Sequence, residues 1–118
     1  MAARVLIVDD DARFRALART LLEAQGCEVV AEAADRAEAL TASRHFSPDA
    51  ALVDIGLPDT NGFALARELI GEAPGLRVLL TSTDPTLVTR SALTRSGAVA
   101  FVAKDRLAVT DLTFWLAG

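Results

Sequence analysis

Short apolar runs alternate along this chain with longer stretches in which apolar residues recur at helical spacing. Five runs are typical of buried strands, at positions 4–8, 28–31, 50–53, 78–81 and 99–103. Strands that follow one another at roughly 20 to 25-residue intervals, with a helix between each pair, are the pattern of βαβ units around a parallel sheet. The pattern therefore predicts an α/β fold.

Capping residues mark where several of these helices begin and end. Asp35 with Glu38 forms a capping box that opens the second helix. Asp84-Pro85 predicts the start of the fourth helix, and Gly97 predicts its end. A last amphipathic helix is predicted to run almost to Gly118, with four apolar residues on one side: Ala108, Leu112, Trp115 and Leu116.

Length and composition narrow the class of protein. We expect the 118 residues to form a single domain, and 52% hydrophobic with 24% charged residues is a globular composition. No apolar stretch reaches the roughly 18 residues of a membrane span, and no signal-type segment opens the chain, so we expect a cytoplasmic location. A net charge of −4 argues against direct DNA binding by this segment. The single Cys27 excludes an internal disulfide, and we assign it to packing.

Polar residues follow four of the five predicted strands. They are Asp9-Asp10-Asp11, Asp54, Thr81-Ser82 and Lys104, the single lysine among twelve cationic side chains. Asp11, just before the first helix, is expected to be its cap. Since the carboxyl ends of parallel strands meet at one edge, the other residues should converge there, where such folds bind ligands.

Converging carboxylates require a cation, because they would otherwise repel one another. Oxygen ligands from Asp10 and Asp54, with Asp9 acting through a water molecule, suit Mg²⁺ or Mn²⁺. Zinc is disfavoured because His45 is isolated and Cys27 is remote. Taken alone, Asp54 is equally well explained as an ordinary turn residue after a strand, and its role depends on the other residues at this edge.

Together these residues resemble the receiver domain of response regulators. The resemblance rests on Val8-Asp9-Asp10, Asp54, the Leu57-Pro58 and Asn61-Gly62 pairs downstream, a hydroxyl after the fourth strand, and Lys104. Asp10 and Asp54 are 44 residues apart, and Asp54 and Lys104 are 50 apart. The resemblance covers essentially the whole chain and implies a doubly wound (βα)5 fold, a five-stranded parallel sheet with flavodoxin-like strand order 2-1-3-4-5.

The resemblance implies a phosphorylation-dependent signalling switch. Asp54 would accept a phosphoryl group from a sensor histidine kinase or a small acyl phosphate, with Mg²⁺ and Lys104 stabilising the transferring group. The backbone carbonyl of Gly56 would complete the metal ligands. Such a domain catalyses only its own phosphorylation and dephosphorylation, so we do not expect a conventional enzyme.

Two further positions would transmit the signal. Ser82 would hydrogen-bond the phosphoryl group, since its spacing from Asp54 and Lys104 resembles that of the family, although the adjacent Thr81 remains an alternative. Phe101 would follow as the switch aromatic. Core packing in a buried strand explains Phe101 equally well.

The same resemblance implies partners. Asp105 stands where the family usually has proline, which resembles the branch that carries a helix-turn-helix output domain and regulates transcription. DNA would then be contacted only through an output domain that this chain does not contain. A homodimer would form through the fourth helix, fifth strand and fifth helix. Phe114 and Trp115 could anchor it, although packing on the sheet is the better explanation for Trp115.

Two rival functions remain at this point. A haloacid-dehalogenase-type phosphatase needs a second aspartate two residues after the nucleophile, where this chain has Gly56. A degenerate receiver would keep the fold as a phosphorylation-independent interaction module. The complete set of Asp10, Asp54, Ser82 and Lys104 argues against the second rival.

Overall fold

The computed structural model describes residues 2–117 and consists of one parallel sheet with helices on both faces. The α-helices and strands are β1 Arg4–Val8, α1 Ala12–Ala24, β2 Glu28–Ala33, α2 Arg36–Phe46, β3 Ala50–Asp54, α3 Gly62–Glu72, β4 Arg77–Ser82, α4 Arg90–Ser96, β5 Ala100–Ala103 and α5 Thr113–Leu116. Two 3₁₀ segments, Pro85–Leu87 and Lys104–Val109, lie between them. Among these residues, no helix has the length and apolar character needed to cross a bilayer.

The five strands are parallel and lie in the order β2-β1-β3-β4-β5. This order confirms the predicted doubly wound fold. Val8 at the end of β1 pairs with Val53, and Asp54 at the end of β3 pairs with Thr81. The ends of the three central strands are therefore level, and the residues at and beyond these ends lie close together at the point between β1 and β3 where the strand order reverses.

Two apolar layers enclose the sheet. The first layer lies between the sheet and the α1 and α5 side, and it includes Phe14, Leu22 and Leu116. The second layer lies under α2, α3 and α4, and it includes Leu40 and Leu65. Alternate strand residues point into opposite layers, which is why both faces of the central strands are apolar.

The fourth helix begins later than predicted. Asp84 does act as a cap, but only for the three-residue 3₁₀ turn Pro85–Leu87, because Val88 returns to an extended conformation. The side chain of Thr89 then accepts a hydrogen bond from the Ala92 amide and caps α4. The predicted end is confirmed, since Gly97 adopts the left-handed conformation with a φ of 79°.

The predicted last helix is wrong in its extent. Residues Lys104–Val109 form a 3₁₀ segment, extended Thr110 interrupts the chain, and α5 is only four residues long. Leu107 is buried in place of Ala108, which is exposed. Trp115 packs against the first layer, which confirms the packing explanation. Gly118, which the predicted helix approached, lies outside the described residues.

Candidate functional site at the carboxyl edge of the sheet

The predicted site residues Asp9, Asp54 and Lys104 come together at the carboxyl edge of the sheet. Lys104 Nζ lies 2.7 Å from Asp9 Oδ2 and 3.6 Å from Asp54 Oδ1. Asp9 is fully buried, and Asp54 is 7% exposed. Buried carboxylates without a cation nearby are costly, so this geometry makes Lys104 an essential charge partner at the edge.

One ammonium does not balance the acidic groups around it. Asp9, Asp10 and Asp54 each offer a carboxylate oxygen, and these oxygens lie within 4.8 Å of one another. Burial raises the pKa of Asp54 above its ordinary 3.8, and the negative charge of Asp9 raises it further. The Lys104 ammonium and the Gly56 amide offset only part of this rise in the pKa of Asp54. The site therefore favours an additional cation.

The donor set fits a hard divalent ion such as Mg²⁺. All three side chains offer oxygen atoms, and oxygens on opposite sides of Mg²⁺ lie roughly 4 Å apart, close to the span of this group. Asp10 is exposed, so water can complete the coordination shell. A Cβ atom at position 56 would stand 3.7 Å from Asp54 Oδ2, an ordinary contact, so Gly56 leaves that side of the carboxylate open.

The backbone around Asp9 is held by contacts that could not be predicted from the sequence. Asp9 Oδ1 accepts a hydrogen bond of 2.8 Å from the Asp11 amide, and Arg15 Nη1 donates one of 2.7 Å to the Asp9 carbonyl. Arg15 Nε also donates to Glu32 of β2 at 3.0 Å. Arg15 follows Asp9 by nearly two helical turns, so only the packing of α1 on the sheet brings them together. Asp11 caps α1 as predicted, accepting from the Arg13 amide.

A tight loop follows the Asp54 carboxylate. The Gly62 amide donates to the Ile55 carbonyl at 2.9 Å, and Gly56 pairs with Asn61 across the loop. A Cβ atom on Gly62 would stand 2.7 Å from the Asp54 carbonyl oxygen, a backbone atom that cannot move aside cheaply. Position 62 therefore requires glycine, because the loop backbone lies close against the end of β3 here.

The two hydroxyl residues at the end of β4, Thr81 and Ser82, point to opposite faces of the sheet. Leu80 pairs with Phe101, and both contact the second layer, so Ser82 lies on the same face as Phe101 by strand alternation. Ser82 Oγ accepts a hydrogen bond of 3.0 Å from the Asp84 amide. Thr81 is fully buried on the other face, and its Oγ1 has no hydrogen-bond partner within residues 2–117. Phe101 is half-buried, which fits its packing in the core.

A recess opens from solvent beside the lysine. Its volume is about 410 Å³, and it is lined by Asp11, Phe14, Leu17, Thr83, Lys104 and Asp105. Leu17 is 53% exposed at this recess. The Lys104 side of the site is therefore accessible to a small molecule or to a side chain of another protein.

Comparison with known proteins places this geometry in context. Residues 5–112 match the family described as the response regulator receiver domain. The chain is 37% identical over 105 residues to the virulence-factor transcription regulator BvgA of Bordetella pertussis, covering 88% of this chain and 50% of BvgA. It is 30% identical over 104 residues to the chemotaxis protein CheY of Thermotoga maritima, covering 88% of this chain and 87% of CheY.

Solved structures show the same fold. A two-component response regulator of the LuxR family from Aurantimonas superposes with a TM-score of 0.80 at 31% identity, covering 88% of this chain and 75% of that one. The chain spans about half the length, 49% and 50%, of the curated transcription regulators it matches.

Proposed function

Because the chain belongs to the response regulator receiver domain family, we propose that it is a signalling switch in which Asp54 accepts a phosphoryl group. One observation carries the proposal. At the carboxyl edge the Asp54 carboxylate lies 3.6 Å from the Lys104 ammonium. One of its oxygens also lies within 4.8 Å of carboxylate oxygens of Asp9 and Asp10. A nucleophile, a cation and a metal-ligand set thus occupy one site.

The chemistry is a phosphoryl transfer to a carboxylate. An Asp54 oxygen attacks the phosphorus of a phosphohistidine on a sensor kinase, or of acetyl phosphate, and the P–N or P–O bond to the donor breaks. The imidazole or acetate leaves with the bonding electron pair. Lys104 donates hydrogen bonds to a negatively charged oxygen of the transferring group. This new contact replaces part of the contact between Lys104 and Asp9.

Asp10 and Asp54, with Asp9 through a water molecule and the Gly56 carbonyl, would hold Mg²⁺. When bound, Mg²⁺ supplies neutralising charge to the phosphoryl oxygens. Burial raises the pKa of Asp54 most, and before transfer Mg²⁺ would relieve the further rise in this pKa that repulsion by Asp9 causes. The other contacts of the site, including the Gly62 turn and the Asp11 amide on Asp9, would keep the carboxylates oriented toward the ion.

Ser82 is the better candidate for sensing the new phosphoryl group. Its oxygen already accepts from the Asp84 amide, so its own proton is free to be donated to a phosphoryl oxygen. The segment that follows contains the short 3₁₀ turn Pro85–Leu87 before α4 begins. A shift of Ser82 would therefore move this segment and the packing of Phe101 on the same face. Thr81 is the alternative, since its buried hydroxyl has no partner among the described residues.

We infer that the partners are a sensor histidine kinase and an output that responds to the β4, α4 and β5 surface. The output would be a homodimer through α4, β5 and α5 or an attached output domain, in keeping with transcription regulation by relatives such as BvgA. DNA would be contacted through that output domain only, and the switch would act in the cytoplasm. Residues 1–118 would constitute the receiver domain.

The test is intact mass after incubation with acetyl phosphate and Mg²⁺. Wild type is compared with Asp54→Asn, and with Asp59→Asn as a matched control, because Asp59 is an exposed acid in the same loop. We expect a gain of one phosphoryl group in wild type and Asp59→Asn but not in Asp54→Asn. Lys104→Ala should slow the gain.

Beryllofluoride provides a second readout of the same site. Trp115 is the single tryptophan of the chain, and its emission reports changes near α5. A phosphorylated Asp54→Asn protein would contradict the assignment of Asp54. No mass gain and no beryllofluoride response in wild type would favour the phosphorylation-independent interaction module.

A further inference from the structure

The ammonium of Lys104 has a third neighbour besides the two carboxylates. Its Nζ atom lies 4.0 Å from the centroid of the Phe14 ring. The ammonium therefore contacts Asp9 on one side, Asp54 on another and an aromatic face on a third. A cation at this distance over a phenyl ring is attracted by the negative face of the ring.

Phe14 reaches this position from the first turn of α1. The Asp11 carboxylate that caps the helix accepts hydrogen bonds from the Arg13 and Phe14 amides, at 2.9 and 3.4 Å. The cap therefore orients the residue that covers the lysine. Phe14 is 9% exposed, so its ring is almost wholly enclosed at the top of the first layer.

An aromatic neighbour helps to hold a lysine side chain in one place. A lysine side chain is a point charge on a flexible four-carbon stem and has about 2 kcal/mol of rotamer entropy to lose when it is held in one place. An ammonium has three N–H donors, but only two carboxylates lie near this one in the described structure, and the nearer is Asp9. Without the ring, the third side of the ammonium would be hydrated from the adjoining recess.

We propose that Phe14 is a positioning residue for Lys104, and that its ring face holds the ammonium within reach of Asp54. The inference rests on the proposed function, in which Lys104 must meet a phosphoryl group on Asp54. Packing alone does not require a ring at position 14, since leucine would fill the same layer. The ammonium, in contrast, is attracted by the negative face of an aromatic ring.

The single lysine makes the contact directly observable. Protein grown with ¹³C-labelled lysine gives resonances from Lys104 alone, because no other lysine is present in the chain. In protein without Mg²⁺ or phosphodonor, we expect the ε-methylene protons upfield of their position in a free peptide, owing to the ring current of Phe14. Phe14→Tyr should keep this shift, and Phe14→Leu should abolish it. Phe46→Leu, at an exposed phenylalanine on α2, should leave the shift unchanged.

A graded series separates the charge attraction from packing. Fluorinated phenylalanines placed at position 14 keep the ring and nearly its shape but progressively weaken its negative face. We expect the rate of phosphorylation by acetyl phosphate to fall about 3- to 10-fold across the series, the range of a partly buried cation–π contact. The same residues at position 46 should leave the rate unchanged.

The two readouts keep the proposals apart. If wild type is not phosphorylated but its lysine resonance is shifted upfield, the proposed function fails while the contact between Phe14 and Lys104 stands. If wild type is phosphorylated at a rate that does not change with ring fluorination, the positioning role is overturned. An unshifted lysine resonance in wild type also overturns it.

Discussion

Two regions of this molecule bring arginine or lysine together with acidic residues, and they do so in opposite ways. Between α2 and α3, Arg36 makes a two-point contact with Glu68, and Arg44 does the same with Glu72. There each acid has its own cation, and hydrogen bonds from the arginine lower the pKa of both glutamates. At the carboxyl edge Asp9 and Asp54 share one lysine while a third acid, Asp10, lies beside them, and burial together with the charge of Asp9 raises the pKa of Asp54.

The difference shows which charges are built for structure and which for binding. Exposed pairs between matched charges contribute little to stability because water solvates the separated partners almost as well. Buried and unmatched charges cost free energy that a bound cation or a new ligand recovers. A raised pKa in a cluster of carboxylates therefore identifies a binding site more reliably than the number of ion pairs does.

The largest effect on stability should follow removal of the single cation from the acidic edge. Lys104→Gln leaves the buried Asp9 carboxylate without its 2.7 Å partner. We expect the free energy of unfolding in EDTA to fall by about 2–3 kcal/mol, because an unpaired buried charge is costly. Urea denaturation measures this change.

Magnesium should restore part of the stability lost in Lys104→Gln, since the ion replaces a missing positive charge. Arg106→Gln is the matched control, because Arg106 is an exposed cation in the same 3₁₀ segment. A Lys104→Gln protein as stable as wild type in EDTA would mean that the acids at the edge do not depend on the lysine.

Removing one of the three acids should have a smaller effect of the opposite sign. The folded state raises the pKa of Asp54 above 3.8, so folded protein binds this proton more tightly than unfolded chain does. The stability contributed by that proton is fully present below pH 3.8 and is lost as the pH rises through the raised pKa. In metal-free protein at neutral pH, we therefore expect Asp54→Asn to be more stable than wild type.

The stability difference between Asp54→Asn and wild type should depend on pH. The stability difference between Asp54→Asn and wild type should shrink as the pH falls from neutral toward 3.8, because wild type then regains the proton. Excess Mg²⁺ at neutral pH should reverse the order, since Asp54 would be a ligand. Denaturation midpoints over this pH range, with and without Mg²⁺, measure both effects. A constant difference at every pH would rule out repulsion and burial as its cause.

The strands and the polar residues at their ends could be predicted from the sequence, but a contact between distant side chains could not. Buried parallel strands are continuous apolar runs, so the strands and the polar residues at their ends were recognisable, and the convergence of Asp9, Asp54 and Lys104 followed from the parallel sheet. The ring of Phe14 over Lys104 was not predictable. Phe14 and Lys104 are 90 positions apart in the chain, and their contact depends on the packing of α1 against the sheet.

The helices near β4 and β5 were predicted less well than the strands. Asp84-Pro85 satisfies the rules for the start of an α-helix and of a 3₁₀ turn alike, so it could not reveal that the chain straightens at Val88. Near the end of the chain, Gln25 accepts from the Leu112 amide and donates to the Thr110 carbonyl. This tertiary clamp supports an extended Thr110, where periodicity alone predicted a continuous helix.

The smallest effect is expected where the charges are matched. The Arg44 and Glu72 side chains are 61% and 39% exposed, although their closest contact is 2.7 Å. Glu72→Gln, alone or with Arg44→Met, should leave the denaturation midpoint and the phosphorylation rate unchanged within error, because water replaces the lost contact. Arg36 and Glu68 provide a second pair for the same substitutions. Since the short contact distance at Arg44 resembles that at Lys104, a loss of stability comparable to that of Lys104→Gln would show that distance governs these interactions, and the distinction between matched and unmatched charges would fail.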